Sequence, residues 1–331
     1  DLRLNIIQEK TKLLSKKLKI KKISINSKDL KKNDIYFAIK GKKNDGSKFI
    51  NEAYKKKSSM MITHKLDKSI PLSKQVRVND TLNFLTECAT DYRKNINTKI
   101  IAITGSCGKT TLKELLGSSF KKLSKVSTSP KSYNNKYGVP LSLFNINEKD
   151  EYGILEVGMD KKGEIDFLSK IIKPDVSVIT NINYAHAKNF KNIKEIALAK
   201  SEIINNTKNN GFLILNSDDN FFNLQKKIAL KKNINIISFG IKNKNSNIKL
   251  LNIQKVRQKY KITIKINNLK SYFLISNNFQ NNILNILATL AVMSIFVDIL
   301  KINKNFFVNF KTPNGRGDFL KIKFKNKNLN L

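Results

Sequence analysis

Apolar positions follow two rhythms along the chain, and the change between them divides it. Before about residue 95, short apolar runs at 22–25, 35–39, 60–63 and 75–78 predict strands. A turn is expected over 41–46 and a helix over 49–57. Asp80 is placed to cap an amphipathic helix over 81–93. From residue 99 the runs alternate with helical stretches: 100–104 then 110–123, 153–157 then 165–171, 176–181 then 193–204, 212–216 then 220–229, with 234–239 closing the series. That alternation predicts a mostly parallel sheet with helices on both faces. The runs at 249–256, 260–266 and 271–275, with turns at Arg257-Gln258 and Asn267-Asn268, predict antiparallel strands. A buried helix over 280–299 follows, then an apolar alternation over 319–324. The expected fold class is α/β, with a small N-terminal α/β domain over 1–95 and a central, mostly parallel domain over 96–311. Residues 312–331 read as a hinge and the start of a further domain that the chain does not complete.

Composition narrows the functional classes. The 331 residues are 40% hydrophobic, enough for two cores. Lys and Arg total 63 against 25 Asp and Glu, a net charge of +38, but only five of the basic residues are Arg. Such a charge invites a nucleic-acid reading. The lysines are spread over the whole length with no run longer than three, Arg is scarce, and no aromatic residues interleave with basic ones. A solvated lysine surface is therefore expected, with no nucleic-acid partner, and its field favours an anionic substrate. Two cysteines, Cys88 and Cys107, exclude a disulfide framework and fit a reducing cytoplasm. The longest apolar stretch, 286–300, carries Thr289, Ser294 and Asp298 and is too short and polar to span a bilayer.

The strongest motif is Ile100-Ile101-Ala102-Ile103-Thr104-Gly105-Ser106-Cys107-Gly108-Lys109-Thr110-Thr111. A buried strand runs into a glycine loop, a Lys-Thr pair and a helix. Gly105 and Gly108 let the backbone approach a phosphate, and the helix N-terminus offers N–H groups to an anion. Lys109 is placed to neutralise the β- and γ-phosphates and Thr110 to ligate Mg²⁺. The spacing G-x-x-G-K-T is shorter than the full Walker pattern. Gly105, Ser106, Cys107, Gly108, Lys109, Thr110 and Thr111 form the candidate cradle, with Cys107 a small filler residue. Ligands of open α/β sheets sit beyond the carboxyl ends of the strands. Glu156, His186 and the Asn216–Asp219 stretch follow predicted strands there, so Glu156 and His186 are candidate ligands of Mg²⁺ or its water shell. His64 reads as structural. Lys200, by pattern alone, is a solvated lysine.

The ordered series is more specific than the loop. It includes Tyr133-Asn134-Asn135-Lys136-Tyr137-Gly138-Val139-Pro140, Glu156-Val157-Gly158-Met159, Thr180-Asn181-Ile182, Ala185-His186, Ala199-Lys200-Ser201-Glu202 and Gly315-Arg316-Gly317, preceded by Asn33-Asp34-Ile35-Tyr36-Phe37-Ala38-Ile39-Lys40-Gly41 and Asp45-Gly46. In this order the chain resembles the Mur ligases over essentially its whole length. The Asn-Asn-x-x-Gly-Val-Pro segment favours the member that adds D-alanyl-D-alanine to UDP-N-acetylmuramoyl-tripeptide. The resemblance implies a UDP-sugar-binding N-terminal domain with contacts at Ser27, Lys40, Gly41, Asp45 and Gly46, and contacts to the peptide or acyl phosphate from Asn134 and Asn135. It implies ATP and Mg²⁺, with Lys109, Glu156, His186 and Lys200 catalytic and Thr110, Glu156, His186 and Lys200 serving the metals. Lys200 is expected to be carbamylated by CO₂. Asn281 and Asn285 are expected near the adenine, although relatives carry His near position 281, and Arg316 is expected to reach the nucleotide from the hinge. Relatives continue into a C-terminal Rossmann-like domain that is absent here, so the chain as it stands is expected to bind substrate without ligating. A cytoplasmic monomer is expected. The alternatives left open are a sister ligase adding one amino acid or glutamate, a basic nucleotide-regulated nucleic-acid-binding protein, and a catalytically dead scaffold.

Overall fold

The computed structural model describes residues 1–12, 18–184, 189–276 and 282–310, and the backbone of a terminal hairpin of β14 (Lys321–Phe324) with β15 (Lys327–Asn330). Helix α1 (Leu2–Thr11) opens the chain, capped by the Asp1 carboxylate accepting from the Arg3 N–H. Its apolar residues follow no clean helical period, which is why the sequence does not announce it. Strands β1 (Ile23–Ser24), β2 (Ile35–Phe37), β3 (Met60–Thr63) and β4 (Gln75–Arg77) then form a parallel sheet in chain order. β2 and β3 are buried at every position, as expected of strands covered on both faces. Helix α2 (Ile50–Lys55) follows the short helical turn Gly46–Phe49. Helix α3 (Thr81–Lys94) starts where expected, with the Asp80 carboxylate accepting from the Asn83 N–H at 2.9 Å.

α3 joins the two halves. Leu85, Cys88, Ala89 and Tyr92 lie in one apolar core with Ile35 and Phe37 of the first sheet and Ile100, Ala102, Val139 and Leu143 beyond it. The Tyr92 hydroxyl donates to the Ile146 carbonyl at 2.6 Å. Buried Arg93 donates to the Ile172 carbonyl at 2.7 Å and pairs with Asp175 at 3.1 Å. Arg93→Met removes the cation and leaves those acceptors short of a donor. It is expected to cost about 3 kcal/mol, read as a lowered midpoint in denaturant unfolding.

The second sheet has nine strands in the order β13-β12-β11-β10-β9-β8-β5-β7-β6. They are β5 (Lys99–Thr104), β6 (Val126–Thr128), β7 (Tyr152–Glu156), β8 (Val176–Ile179), β9 (Phe212–Asn216), β10 (Asn235–Gly240), β11 (Ile248–Val256), β12 (Lys259–Ile266) and β13 (Leu269–Ser276). Pairing is parallel from β6 to β11 and antiparallel through β12 and β13. The helices are α4 (Lys109–Phe120), α5 (Gly138–Phe144), α6 (Glu164–Ile172), α7 (Ile193–Ser201), α8 (Ile203–Asn206), α9 (Phe222–Leu230) and α10 (Ile283–Met293). β5 alternates between two cores: Ile100 and Ala102 face the first, Ile101 and Ile103 the second, under α4 and α10.

The mixed α/β class and the parallel-then-antiparallel order agree with expectation. Besides α1, β6 and α5 were not anticipated. β6 has three half-buried residues, too few for a pattern, and α5 hides behind Gly138 and Pro140. Pro140 lies in the first turn, where a missing N–H costs little. The helix expected over 193–204 is broken at Glu202, between α7 and α8. The helix expected to reach 299 ends at Met293. The chain then turns until Phe307, which makes a bridge to Ile275.

Candidate functional site

The glycine loop occupies the turn from β5 into α4, at the centre of the larger sheet. Its shape needs glycine at two places. Gly105 has φ +144°, and a Cβ there would lie 1.9 Å from Thr180 Oγ1. Gly108, at φ +82°, caps α4, and a Cβ on it would meet Asn285 Oδ1 at 3.3 Å. Asn285 thus sits against the loop, held by its Nδ2 donating to Asn282 Oδ1 at 3.2 Å.

The loop is gripped from the neighbouring strand. Ser106 N–H donates to the Asn181 carbonyl at 3.0 Å, and Cys107 N–H to Asn181 Oδ1 at 3.0 Å. Thr180 Oγ1 donates to the exposed Cys107's carbonyl at 2.6 Å, and Ser106 Oγ donates to the Asn183 carbonyl at 2.9 Å. Behind it, Asp219 Oδ2 accepts from Ile182 N–H at 2.7 Å. Asn181 and Asp219 were legible as motif residues, but their work as braces was not. Asp218 accepts from the N–H groups of Ile241, Lys242 and Asn243 instead, closing the turn after β10.

At the other end of the loop, Thr110 Oγ1 donates to Glu156 Oε2 at 2.8 Å. Glu156 ends β7, adjacent to β5, with Ile103 opposite it. Its second oxygen accepts from Asn134 Nδ2 at 2.9 Å, and its own N–H donates to Ser129 Oγ at 3.2 Å. Glu156 is 2% exposed. Asn135 works differently: its Oδ1 accepts from the N–H groups of Tyr137 and Gly138, at 3.1 and 3.0 Å, and fixes the start of α5.

Lys109 and Lys200 converge. Lys109 Nζ donates to the Gly105 carbonyl at 2.8 Å and Lys200 Nζ to the same oxygen at 3.0 Å. Lys200 is buried, not solvated as its sequence pattern suggested. Burial, and then the charge of Lys109, push its ammonium down to about 7.

A cleft of about 610 Å³ opens beside Lys109, lined by Asn134, Tyr137, Met159, Lys161 and Phe167 among others. One wall is the start of α6, where the Glu202 carboxylate accepts from the N–H groups of Gly163 and Asp166 at 2.8 and 3.2 Å. Burial raises the pKa of Glu202.

In the N-terminal domain, Ser27 donates to Glu52 at 2.8 Å, and Lys56 Nζ donates to the Ser27 carbonyl at 2.8 Å. Asp45 caps the turn leading into α2 and lies 3.4 Å from His64 Nε2. Lys40 bridges to Asp45 along the backbone, Gly41 N–H donates to the Asn44 carbonyl and Gly46 N–H to Ile39. Lys40, Gly41, Asp45 and Gly46 therefore form one looped cluster, with Ser27 held at the far end of the helical segment that follows. His186, Asn281 and Arg316 lie outside the described residues.

Among the described residues no cluster of three or more His, Cys, Asp and Glu side chains is arranged to hold a metal. Mg²⁺ does not need one, because it takes one or two protein oxygens and completes its shell with phosphate and water. The Thr110 hydroxyl and Glu156 carboxylate, both hard oxygens at the end of the loop, fit that requirement.

A glycine loop between a central parallel strand and a helix, backed by an acidic residue on the adjacent strand, defines a phosphate-loop nucleotide-binding domain. Residues 103–293 match the Mur ligase middle domain and residues 19–93 the Mur ligase family catalytic domain. The chain belongs to the Mur ligase family. It is 32% identical over 315 residues to the UDP-N-acetylmuramoyl-tripeptide–D-alanyl-D-alanine ligase of Rickettsia prowazekii, covering 93% of this chain and 69% of the relative. It is 38% identical over 239 residues to the ligase of that name from Buchnera aphidicola of Acyrthosiphon pisum, covering 70% of this chain and 52% of the relative. Among solved structures it resembles MurF from Acinetobacter baumannii, with TM-score 0.83 and 26% identity over 96% of this chain and 70% of that one. It also resembles MurF ligase from Thermotoga maritima in complex with ADP, with TM-score 0.78 and 27% identity over 91% of this chain and 68% of that one. The chain thus spans about half to two thirds of the length of the curated relatives it matches. Among the described residues no helix is long and apolar enough to cross a membrane.

Proposed function

We propose that this chain carries the nucleotide- and UDP-substrate-binding parts of an ATP-dependent ligase that joins D-alanyl-D-alanine to UDP-N-acetylmuramoyl-tripeptide in cytoplasmic peptidoglycan precursor synthesis. The observation that carries the reading is the convergence of Lys109, Lys200, Thr110 and Glu156 on one loop beside a cleft. The names of the relatives support the choice of substrates.

The chemistry divides into two displacements. A carboxylate oxygen of the tripeptide attacks the γ-phosphorus of ATP, and ADP leaves. The dipeptide amine then attacks the acyl carbon, phosphate leaves, and the amine gives up a proton as the amide forms. Most of the work is positioning and charge neutralisation. Bound Mg²⁺ supplies Lewis acidity to the phosphate oxygens. Thr110 and Glu156 are the residues that hold it, and Asn134 fixes the Glu156 carboxylate. Lys109 leaves the Gly105 carbonyl to meet the phosphates. The first turn of α4 directs the positive end of the helix at the same charge. Lys200 is carbamylated, which replaces a cation crowded against Lys109 by an anionic oxygen ligand. The looped cluster of Lys40, Gly41, Asp45 and Gly46, together with Ser27, binds the UDP-sugar, and the cleft beside Lys109 takes the peptide end. His186, Asn281, Asn285 and Arg316 complete the nucleotide side.

A substrate panel tests this assignment against the sister ligases. UDP-N-acetylmuramoyl-tripeptide is expected to bind the chain at least about tenfold more tightly than the UDP-linked precursor carrying only L-alanine, by calorimetry, for roughly 1.4 kcal/mol of extra contact. Equal or inverted affinities contradict it.

A further inference from the structure

The fold buries a lysine that the reaction scheme does not use. Lys113 lies on α4 one turn beyond Thr110 and is completely buried. Its ammonium donates to the carbonyl of Ser129 at 2.8 Å and to that of Lys131. Its nearest carboxylate, Glu114 Oε1 at 3.4 Å, belongs to a side chain that is 43% exposed. A buried cation is held in place only when its donors are used, and here they are spent on backbone rather than on an enclosed counter-ion.

The segment they hold matters. Ser129 gives its N–H to the Ile154 carbonyl and takes the Glu156 N–H on its hydroxyl. Lys131 stands at φ +46°, a left-handed conformation uncommon for a lysine. Three residues on, Asn134 gives its side-chain amide to Glu156 Oε1 and takes the Gly158 N–H on its carbonyl. The 129–134 segment therefore touches Glu156 at both ends, and Lys113 clamps it between them.

We propose that Lys113 is a positioning residue: from inside the same helix that carries Thr110, it fixes the 129–134 segment so that Ser129 holds the Glu156 backbone and Asn134 holds its carboxylate ready for Mg²⁺. The inference rests on the nucleotide-site reading above. Lys113 does not touch the phosphates. Its loss acts on the geometry of a metal ligand and not on the loop that holds the nucleotide. Nothing in the sequence pattern singles it out; its burial among Leu112, Leu115 and Leu116 is seen only in the fold.

The test is ADP binding by the whole chain, measured without Mg²⁺ and across a Mg²⁺ titration. Lys113→Met keeps the length of the side chain and removes its donors. It is expected to raise the Mg²⁺ concentration that half-saturates the tightening of ADP binding about tenfold, the scale of outer-shell changes at metal sites, while metal-free ADP affinity stays within twofold. Lys113→Arg, which keeps charge and donors, is expected to restore much of the loss. An unchanged Mg²⁺ midpoint in folded Lys113→Met, or an equal loss of ADP affinity with and without the metal, overturns the proposal. Where Lys113→Met does not fold, Lys113→Gln takes its place: a raised midpoint supports the proposal and an unchanged one overturns it. Wild-type protein whose ADP binding ignores Mg²⁺ overturns the nucleotide-site reading itself, and this inference with it.

Discussion

Lys200→Ala is expected to lower ligation by the full-length protein at least about 10³-fold, on the scale of losing a preorganised charge at a phosphoryl-transfer site, while ADP binding stays within a few-fold. The reason lies in where the amine sits. It is buried, shares the Gly105 carbonyl with Lys109, and is pushed down to about 7. An ordinary lysine has about one neutral amine in 2,500 near pH 7. Here, with the ammonium pushed down to about 7, a far larger share is neutral at that pH. Only the neutral amine attacks CO₂, forming an N–C bond and releasing a proton. The product is an anion where a second cation stood. Activity of the wild type is therefore expected to fall in CO₂-stripped buffer and return with bicarbonate. Because protonation competes with CO₂, the bicarbonate needed should rise as pH drops below about 7 and level off above it. A fully active Lys200→Ala, or a wild type indifferent to CO₂ removal, counts against the modification.

The second large effect is expected at Glu156. Glu156→Gln keeps the shape and removes the charge. The glutamine also places an N–H₂ group against either Asn134 Nδ2 or Thr110 Oγ1, where an acceptor stood before. Phosphate release is expected to drop about 10²- to 10³-fold. Thermal stability is expected to hold or rise, because a buried carboxylate with no direct cationic partner among its described contacts costs desolvation free energy that the amide does not. A drop in activity accompanied by a large loss of melting temperature identifies Glu156 as a packing residue instead.

Much of the site was legible because its chemistry is local in sequence. Gly105 to Thr111 are contiguous, and Glu156 follows the run Tyr152-Gly153-Ile154-Leu155, which reads as a strand from its own residues. The parallel sheet was legible for the same reason: β3 and β9 are short, uninterrupted apolar segments with clear ends. What escaped depends on contacts distant in the chain. The burial of Lys200 comes from its approach to Gly105, 95 residues away, and nothing in Ala199-Lys200-Ser201 announces it. The bracing of the loop by Asn181 and Asn183 spans more than 70 residues. α5 was missed because Gly138 and Pro140 read as breakers, whereas Asn135 caps the turn that makes both acceptable. Asn135 caps α5 and also lines the cleft, while its neighbour Asn134 reaches Glu156. The two could not be separated from a shared motif.

The proposed coupling of ATP cleavage to amide formation between two particular substrates is open to direct measurement. The most direct measurement is phosphate release by the full-length protein with MgATP, UDP-N-acetylmuramoyl-tripeptide and D-alanyl-D-alanine, each omitted in turn. Release is expected only when all three are present, with a UDP-linked product heavier by one dipeptide. Release that persists without D-alanyl-D-alanine, or that is absent in every combination, contradicts it.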